Sequence, residues 1–418
     1  MSQSVFKYLP WVGLVLIVLF APIIFPERSM VTTFSYLGIM AIFALSYNVL
    51  LGETGLLSLG HGAFYGLGGF FTVHAIFYFS SKGIQVPLPI TPLIGGLGGL
   101  LFGYLGGLVA SGRGGMPFAM ITLGLGELIY AGSFLFPDFF GGEEGMNIDR
   151  MDMGEFMGFG FAAEIEVYYI VAGWFLISAL CLYFLTKTPF GVLCNATRDN
   201  ADRVEFLGFQ PSRIRLGAFT IAAGFAGVAG GLAAINFEIV TLYELGAANS
   251  TLVLLMTYIG GTGIFLGPVL GAVVIGMMKI WLSDITPAWL LYFGLLFILV
   301  VMYAPRGLAG ILSDGWAFLR SKHMPKLLGS ASLTLLSGAV MAFGASMLIE
   351  LGYRAGLDAH LGSEMSFMGL GLDTAKVESW ILAIVLILGG FFALRFTVEK
   401  FKARQHMLEN ELAVGDGQ

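Results

Sequence analysis

The chain has 418 residues, 57% of them hydrophobic and only 11% charged, with a mean hydropathy of +0.86. A water-soluble domain could not hide that much apolar surface, which excludes soluble enzymes and soluble binding modules. The net charge of −6 gives no reason to expect nucleic acid as a partner, and two cysteines, Cys181 and Cys194, exclude a disulfide framework.

Apolar runs of about 20 residues match the roughly 30 Å hydrocarbon core of a bilayer when wound as helices. In chain order they cover Tyr8–Phe25, Phe34–Leu51, Gly60–Phe79, Leu88–Ala110, Met116–Phe136, Val167–Thr186, Ile214–Asn236, Ser250–Gly261, Ile264–Ser283, Pro287–Tyr303, Leu327–Leu351 and Glu378–Phe396, which predicts ten to twelve spans. Ser250–Gly261 is short enough to be re-entrant. Many runs are too long for strands and lack the ten-residue alternation of a barrel, so the expected fold is an all-α polytopic transmembrane helix bundle. The first run is read as a membrane helix and not a signal peptide, because Lys7 is its only basic flank and no small-residue cleavage site follows Phe25.

Basic residues set the orientation, since positively charged loops stay in the cytoplasm. Thirteen of the 21 lie in three segments, Lys187–Arg215, Arg306–Lys326 and Arg395–Arg404. The opposite pole is Asp138–Glu166, where Asp138, Glu143, Glu144, Asp149, Asp152, Glu155, Glu164 and Glu166 face the single Arg150. Counting back five spans from this outward loop places the N-terminus in the cytoplasm.

Sixty glycines form the second strong signal. Gly95, Gly96, Gly98, Gly99, Gly103, Gly106 and Gly107 leave one helix face nearly bare, suited to tight helix packing or to a pathway lined by backbone. Two further stretches interrupt the apolar pattern, Gly52 to Phe64 (GETGLLSLGHGAF) and Gly260 to Pro268 (GGTGIFLGP). Both hold a Thr-Gly pair, and Gly60 with Gly69 repeats the spacing of Gly267 with Gly276. Paired interruptions in two halves point to a transporter site between internal repeats of broken helices.

From about Met40 to Leu308 the chain resembles the permease subunits of branched-chain amino acid ABC importers, in their long LivM-like group. The resemblance is carried in order by Ala44-Leu45-Ser46-Tyr47-Asn48, the TGLLSLGH stretch at 54–61, ITLGLGE at 121–127, Gly191 with Ala196-Thr197-Arg198-Asp199-Asn200 and Leu207-Gly208, Gly267-Pro268-Val269-Leu270-Gly271-Ala272, and Pro305-Arg306-Gly307-Leu308. It implies a permease domain over residues 1–310 in the plasma (inner) membrane of a prokaryote. The implied partners are a second homologous permease, two cytoplasmic ATPase subunits and a periplasmic or extracytoplasmic substrate-binding protein. ATP and Mg would be bound by the ATPases. This chain would hold no cofactor and catalyse nothing itself, and it has no GxxxxGK[ST] loop.

On this resemblance the polar segment with Gly191, Ala196, Arg198, Asp199, Asn200, Arg203 and Gly208 is the ATPase coupling element. Ala201, Val204 and Gly208 fall at helical spacing and would form its small apolar contact face, with Arg198, Asp199 and Arg203 as orienting charges. Read without the resemblance, the segment is an ordinary solvated inner loop. Three features depart from the family pattern: Val192 and Asn195 stand where basic residues are common, Glu53 replaces a polar or aromatic residue, and residues 311–418 add about two further transmembrane helices and a charged cytoplasmic tail.

Candidate pathway residues are Ser58, His61, Thr122, Glu127 and Thr262. A charge within a span costs about 2.5–3.5 kcal/mol on insertion scales, so Glu127 either faces a water-filled passage, where it meets a substrate ammonium, or pairs with a neighbouring helix. His61 reads as a satisfied buried imidazole or as a ligand. His74, Lys279 and Asp284 are expected to snorkel from span ends, and Glu238 and Glu244 belong to an outer connection that either touches the binding protein or is solvated. Urea or short amides are the alternative cargo, and an ion-coupled secondary transporter is the alternative class. No metal cluster or nucleophile–base pair is present, and Gly369-Leu370-Gly371-Leu372-Asp373 is not the Gly-x-Gly-Asp of intramembrane aspartyl proteases.

Overall fold

The computed structural model describes residues 3–84, 86–153, 160–320, 324–356, 362–367 and 369–415; Glu155 of the acidic loop and Lys322 of the second basic segment lie outside them. The chain divides into two compact units. The first comprises Met1–Ile285 with Phe293–Ile311, the second Thr286–Tyr292 with Leu312–Gln418.

In chain order the helices are α1 (Gln3–Ile24), α2 (Arg28–Asn48, prolonged by a π turn over Val49–Glu53), α3 (His61–Ser81), α4 (Pro92–Ala110), α5 (Met116–Ser133), the short α6 (Pro137–Phe140), α7 (Glu164–Lys187), α8 (Pro189–Asp199), α9 (Ala201–Phe206), α10 (Pro211–Phe237) and α11 (Ala247–Gly260). There follow α12 (Gly267–Met277), which runs through a π turn over Met278–Leu282 into α13 (Ser283–Ile285), then α14 (Trp289–Tyr303), α15 (Gly307–Arg320), α16 (Met324–Gly356) and α17 (Val377–Gly415). Among the described residues eight helices are long and apolar enough to cross a membrane, or ten if each of two bent pairs is one span. Trp11–Ile24 and Ala247–Gly260 are apolar but shorter. The chain is a polytopic helix bundle, as its apolar runs predict.

In the first unit α2 is buried along most of its length, enclosed by α7, α10, α11 and α12. Lipid tails are as apolar as leucine, so helices gain little by merely hiding side chains from lipid; close backbone contact and dispersion must hold them together. The glycines provide that contact. A Cβ at Gly95 would lie 2.6 Å from the Gly68 carbonyl oxygen and 2.8 Å from that of Gly227, so α3, α4 and α10 meet backbone to backbone. The bare glycine face of α4 is therefore a packing surface and not a lined passage.

At one end of this unit the described residues of the acidic segment are folded. The strands β1 (Met146–Asn147) and β2 (Ile239–Val240) pair antiparallel, with Met146 opposite Val240. Arg150, 5% exposed, bridges Glu164 at 3.1 Å and Glu238 at 3.5 Å, and Glu164 also meets Arg28 at 3.0 Å. A lone cation among carboxylates becomes the hub that makes their proximity tolerable, because a buried charge is stable only when paired.

In the second unit α16 and α17 run antiparallel: a Cβ at Gly344 would touch Leu386, and one at Gly390 would touch Met341. Their connection includes the hairpin β3 (Glu364–Phe367) and β4 (Leu370–Asp373), so Gly369 to Asp373 is hairpin and turn. The Asp373 carboxylate accepts from the Ala375 amide at 3.0 Å. Within the same unit, the Tyr292 hydroxyl donates to Glu350 Oε1 at 2.9 Å.

Candidate coupling and translocation site

The first predicted interruption is a re-entrant segment. After Glu53 the chain turns back, helped by Gly55 at φ +67°, whose Cβ would press on the Arg198 side chain. Irregular backbone at membrane depth persists only where protein satisfies it. Here the Leu56 amide donates to Leu50 O (2.8 Å), the Ser58 amide to the Tyr47 hydroxyl (3.2 Å) and the Leu59 amide to Thr122 Oγ1 (3.2 Å), while the Tyr47 hydroxyl donates to Ser58 O (2.8 Å). The segment thereby starts α3 deep inside the bundle: His61 Nε2 lies 3.0 Å from Ser46 Oγ, nearly two turns before the end of α2.

His61 is fully buried and stacked on Phe43 at 5.6 Å, with Tyr47 and Phe64 edge-on to it. Ser58, His61 and Thr122 thus come together as the wall that seals this break. Asn48 Oδ1, Ser58 Oγ and His61 Nδ1 are buried there without a hydrogen-bond partner among the described residues.

A second re-entry comes from the opposite end. α10 stops at Phe237, Glu238 adopts a left-handed φ of +56°, and the chain then descends along α3. Its course is marked by Val240 beside Gly69, Leu245 beside Gly66, and Gly246 with Ser250 beside Gly62. The Gly62 amide donates to Ser250 Oγ at 2.7 Å, so α11 begins next to the first turn of α3. The two inner half-helices start at one level, each reached by a short segment without α-helix that enters from a different end of the unit.

This corrects the pairing expected from the Thr-Gly repeat. The structural counterpart of the 54–60 break is 238–246, whereas Gly260 to Pro268 is the tight turn between α11 and α12. There Gly260, Gly267 and Gly271 meet backbone to backbone, and the Thr262 carbonyl oxygen lies 3.1 Å from where a Cβ of Gly52 would stand. Thr262 therefore sits at the end where α2 breaks, near α8.

The polar segment forms two helices. Thr188 caps α8 by accepting from the Gly191 amide (3.3 Å), and a Cβ at Gly191 would strike Thr186 at 2.7 Å. Ala196 O accepts from the Asn200 amide (2.9 Å), and Asn200 Oδ1 caps α9 by accepting from the Arg203 amide (2.9 Å). Gly208 closes α9 at φ +88°. Two side chains of α8 latch it to the first break: Asn195 Nδ2 donates to Glu53 Oε2 at 2.6 Å, and Arg198 Nη1 donates to Gly52 O. Arg198 also pairs with exposed Asp199 at 3.1 Å. Cys194 is buried on the same side of α8, and that burial pushes its thiol up to about 11.

The expected contact face of this segment is not the observed one. α9 ends at Phe206, so Gly208 lies beyond the helix that holds Ala201 and Val204, and Val204 is buried at 1% exposure against the bundle. The apolar groups left outward are Phe206, 91% exposed, with Leu207 and Val192. Arg203 is exposed near them.

Glu127 lies on the uncovered face of α5 with Met116, Met120, Gly124 and Leu128. Among the described residues it has no hydrogen bond or ion pair, so it is not held by a neighbouring helix of its own chain. His74 does not snorkel; its Nε2 lies 2.7 Å from Phe139 O and its ring stacks on Phe139. Glu244 is not solvated either: its Oε2 is buried. Arg150, Glu244 and Lys279 were not legible as site residues. Only Arg150 carried a signal, as the single cation among eight carboxylates. Among the described residues no His, Cys, Asp or Glu cluster could hold a metal.

No solved structure matches the chain. The family described as "Branched-chain amino acid transport system / permease component" matches residues 29–304. The high-affinity branched-chain amino acid transport system permease protein LivM of Salmonella typhimurium is 29% identical over 291 residues, covering 65% of this chain and 67% of that protein, and LivM of Escherichia coli gives the same figures. The fructose import permease protein FrcC of Rhizobium meliloti is 26% identical over 51% of this chain and 62% of its own length. A match that takes in both re-entrant segments and the latched polar helices, over well more than half of its residues, places this chain in the branched-chain amino acid transport permease family.

Proposed function

We propose that the chain is one permease half of an ABC importer for branched-chain amino acids. Its implied assembly has a second homologous permease, two cytoplasmic ATPases that bind ATP and Mg, and a binding protein on the outer face. The observation that carries this reading is the latch from Asn195 and Arg198 of α8 to Glu53 and Gly52. A push on α8 and α9 from the cytoplasm would pass through two hydrogen bonds into the 54–60 segment, and from there to the start of α3. Phe206, Leu207 and Arg203 form the outward surface such a push requires. The uncovered α5 face with Glu127 suits the second permease across a watered passage, since a carboxylate directed at lipid would carry the cost noted above. The substrate follows the two LivM relatives, with the sugar permease further off in sequence.

Deleting the gene should remove high-affinity leucine uptake, and the intact gene should restore it. Restoration of fructose or urea uptake in place of leucine would overturn the substrate assignment. The proposed orientation has α8 and α9 in the cytoplasm of a prokaryotic cell, with the N-terminus on the same side and the Arg150 hub outside, on the strength of the basic-residue count. In a Cys181→Ala background, Cys194 should stay silent to maleimide near pH 8, where its thiol remains protonated. An added Glu144→Cys should then react in intact cells and Asp202→Cys only after permeabilisation. The reverse pattern would contradict both the topology and the coupling role.

A further inference from the structure

A chamber of about 340 Å³ lies where α2, α3, α10, α11 and the π turn after α12 converge, beside the second re-entrant segment. Its apolar wall includes Met40, Phe43 and Leu252. Glu244 and Lys279 line it as well, an acidic and a basic side chain, yet they form no ion pair with each other and have no other salt-bridge partner among the described residues. Glu244 Oε2 is buried without a hydrogen-bond partner, and so is the hydroxyl of Tyr36, a residue 8% exposed. Lys279 stands at the mouth, its ammonium 5.5 Å from the centre of the Tyr36 ring.

Outside the mouth is a wider vestibule of about 760 Å³, which also holds Arg28. The two spaces share Tyr36, Phe237 and Lys279, and the Tyr36 and Phe237 rings meet edge to face at 6.1 Å. An acidic and a basic group that line one chamber without pairing offer partners for a dipolar molecule, and buried polar atoms without partners are satisfied by whatever enters. A free α-amino acid carries the complementary dipole, an ammonium and a carboxylate on one carbon. The volume is at the lower end of small-molecule sites, and the apolar wall suits a short aliphatic side chain. Neither urea nor a neutral sugar would use both charges.

We infer that this chamber binds a free amino acid with a branched aliphatic side chain, Glu244 receiving its ammonium and Lys279 its carboxylate, with Tyr36 as a further hydrogen-bonding group. Rings of Tyr36 and Phe237 separate the bound molecule from the vestibule, where Arg28 and Lys279 attract the carboxylate end first. The inference rests on the importer reading and adds a substrate site within the membrane part of this chain.

The test is binding of radiolabelled L-leucine to the purified full-length chain in lipid nanodiscs, without partners. Two competitors each remove one charge: L-leucinamide lacks the carboxylate and 4-methylpentanoate lacks the ammonium. Leucine is expected to compete at least about tenfold better than either, the scale of one lost charge-assisted contact. Lys279→Met should abolish the preference over leucinamide, and Glu244→Gln the preference over 4-methylpentanoate. The analogue comparison on the unaltered chain needs no variant to fold. Absence of leucine binding, equal competition by the analogues, or preferences that survive both substitutions would overturn the site. Leucine uptake by cells is measured alongside: if it depends on the gene while the chamber fails these tests, the importer reading stands and only the site falls.

Discussion

Phe206→Asp is expected to strip the ATPase subunits from the purified complex while leaving the chain itself folded. Phe206 is 91% exposed at the end of α9, so its removal creates no cavity. A large aromatic held outward at a turn fixed by Gly208 suits a pocket in a partner, and loss of such an anchor typically costs about 2 kcal/mol or more, roughly thirtyfold in affinity. Placing a carboxylate there adds a desolvation penalty. Co-purification of the ATPases and ligand-stimulated hydrolysis should both collapse, with the melting temperature of the isolated chain unchanged. Arg198→Glu is a less discriminating variant, because it cuts the latch to Gly52 as well as altering surface charge. If Phe206→Asp retains both ATPases and normal stimulated hydrolysis, α9 is not the apolar coupling contact.

The second large effect is on assembly. Gly230→Leu should abolish accumulation of folded protein, because a Cβ at that position would run into the Tyr65 carbonyl and the Gly69 amide where α10 crosses α3. Overpacking a core commonly costs about 1–3 kcal/mol, and the cost is higher where the obstacle is helical backbone that cannot change rotamer. Gly263→Ala is the matched control, since its Cβ would meet nothing within 4 Å. Yield after detergent extraction and the melting temperature in nanodiscs report the difference. A Gly230→Leu chain that melts with the unaltered protein would refute backbone contact as the basis of this packing.

Both effects depend on features that one-dimensional pattern reaches unequally. Helical spans, the break at Gly52 to Phe64 and the polar segment at 187–215 were legible because each is a local property: hydrocarbon thickness sets the length of an apolar run, and glycine with polar residues interrupts it wherever neighbours fall. The small residues of α4 and α10 likewise announced tight packing. The direction that packing took, and which glycines face each other, required knowing which helices are neighbours.

The site was less legible for the same reason. The face of the polar segment was misread because α9 ends at Phe206 and Gly208 turns the chain at a left-handed φ, which cuts the periodicity that would tie Ala201 and Val204 to Gly208. The counterpart of the first break was sought at Gly260 to Pro268, where a motif repeats, but the segment that enters from the other side, 238–246, shares no such motif; its backbone is held by pairing with the distant β1 and by local turn bonds, and it packs on the glycines of α3. Glu244 and Lys279 stand 35 positions apart, and each reads alone as a charge near a helix end. Composition and periodicity by themselves determined a membrane-spanning helical bundle, because transfer from water to lipid is summed residue by residue. Only the tertiary structure decided which charges share a chamber, which glycines touch and which side chains remain outward, because those depend on burial against distant segments.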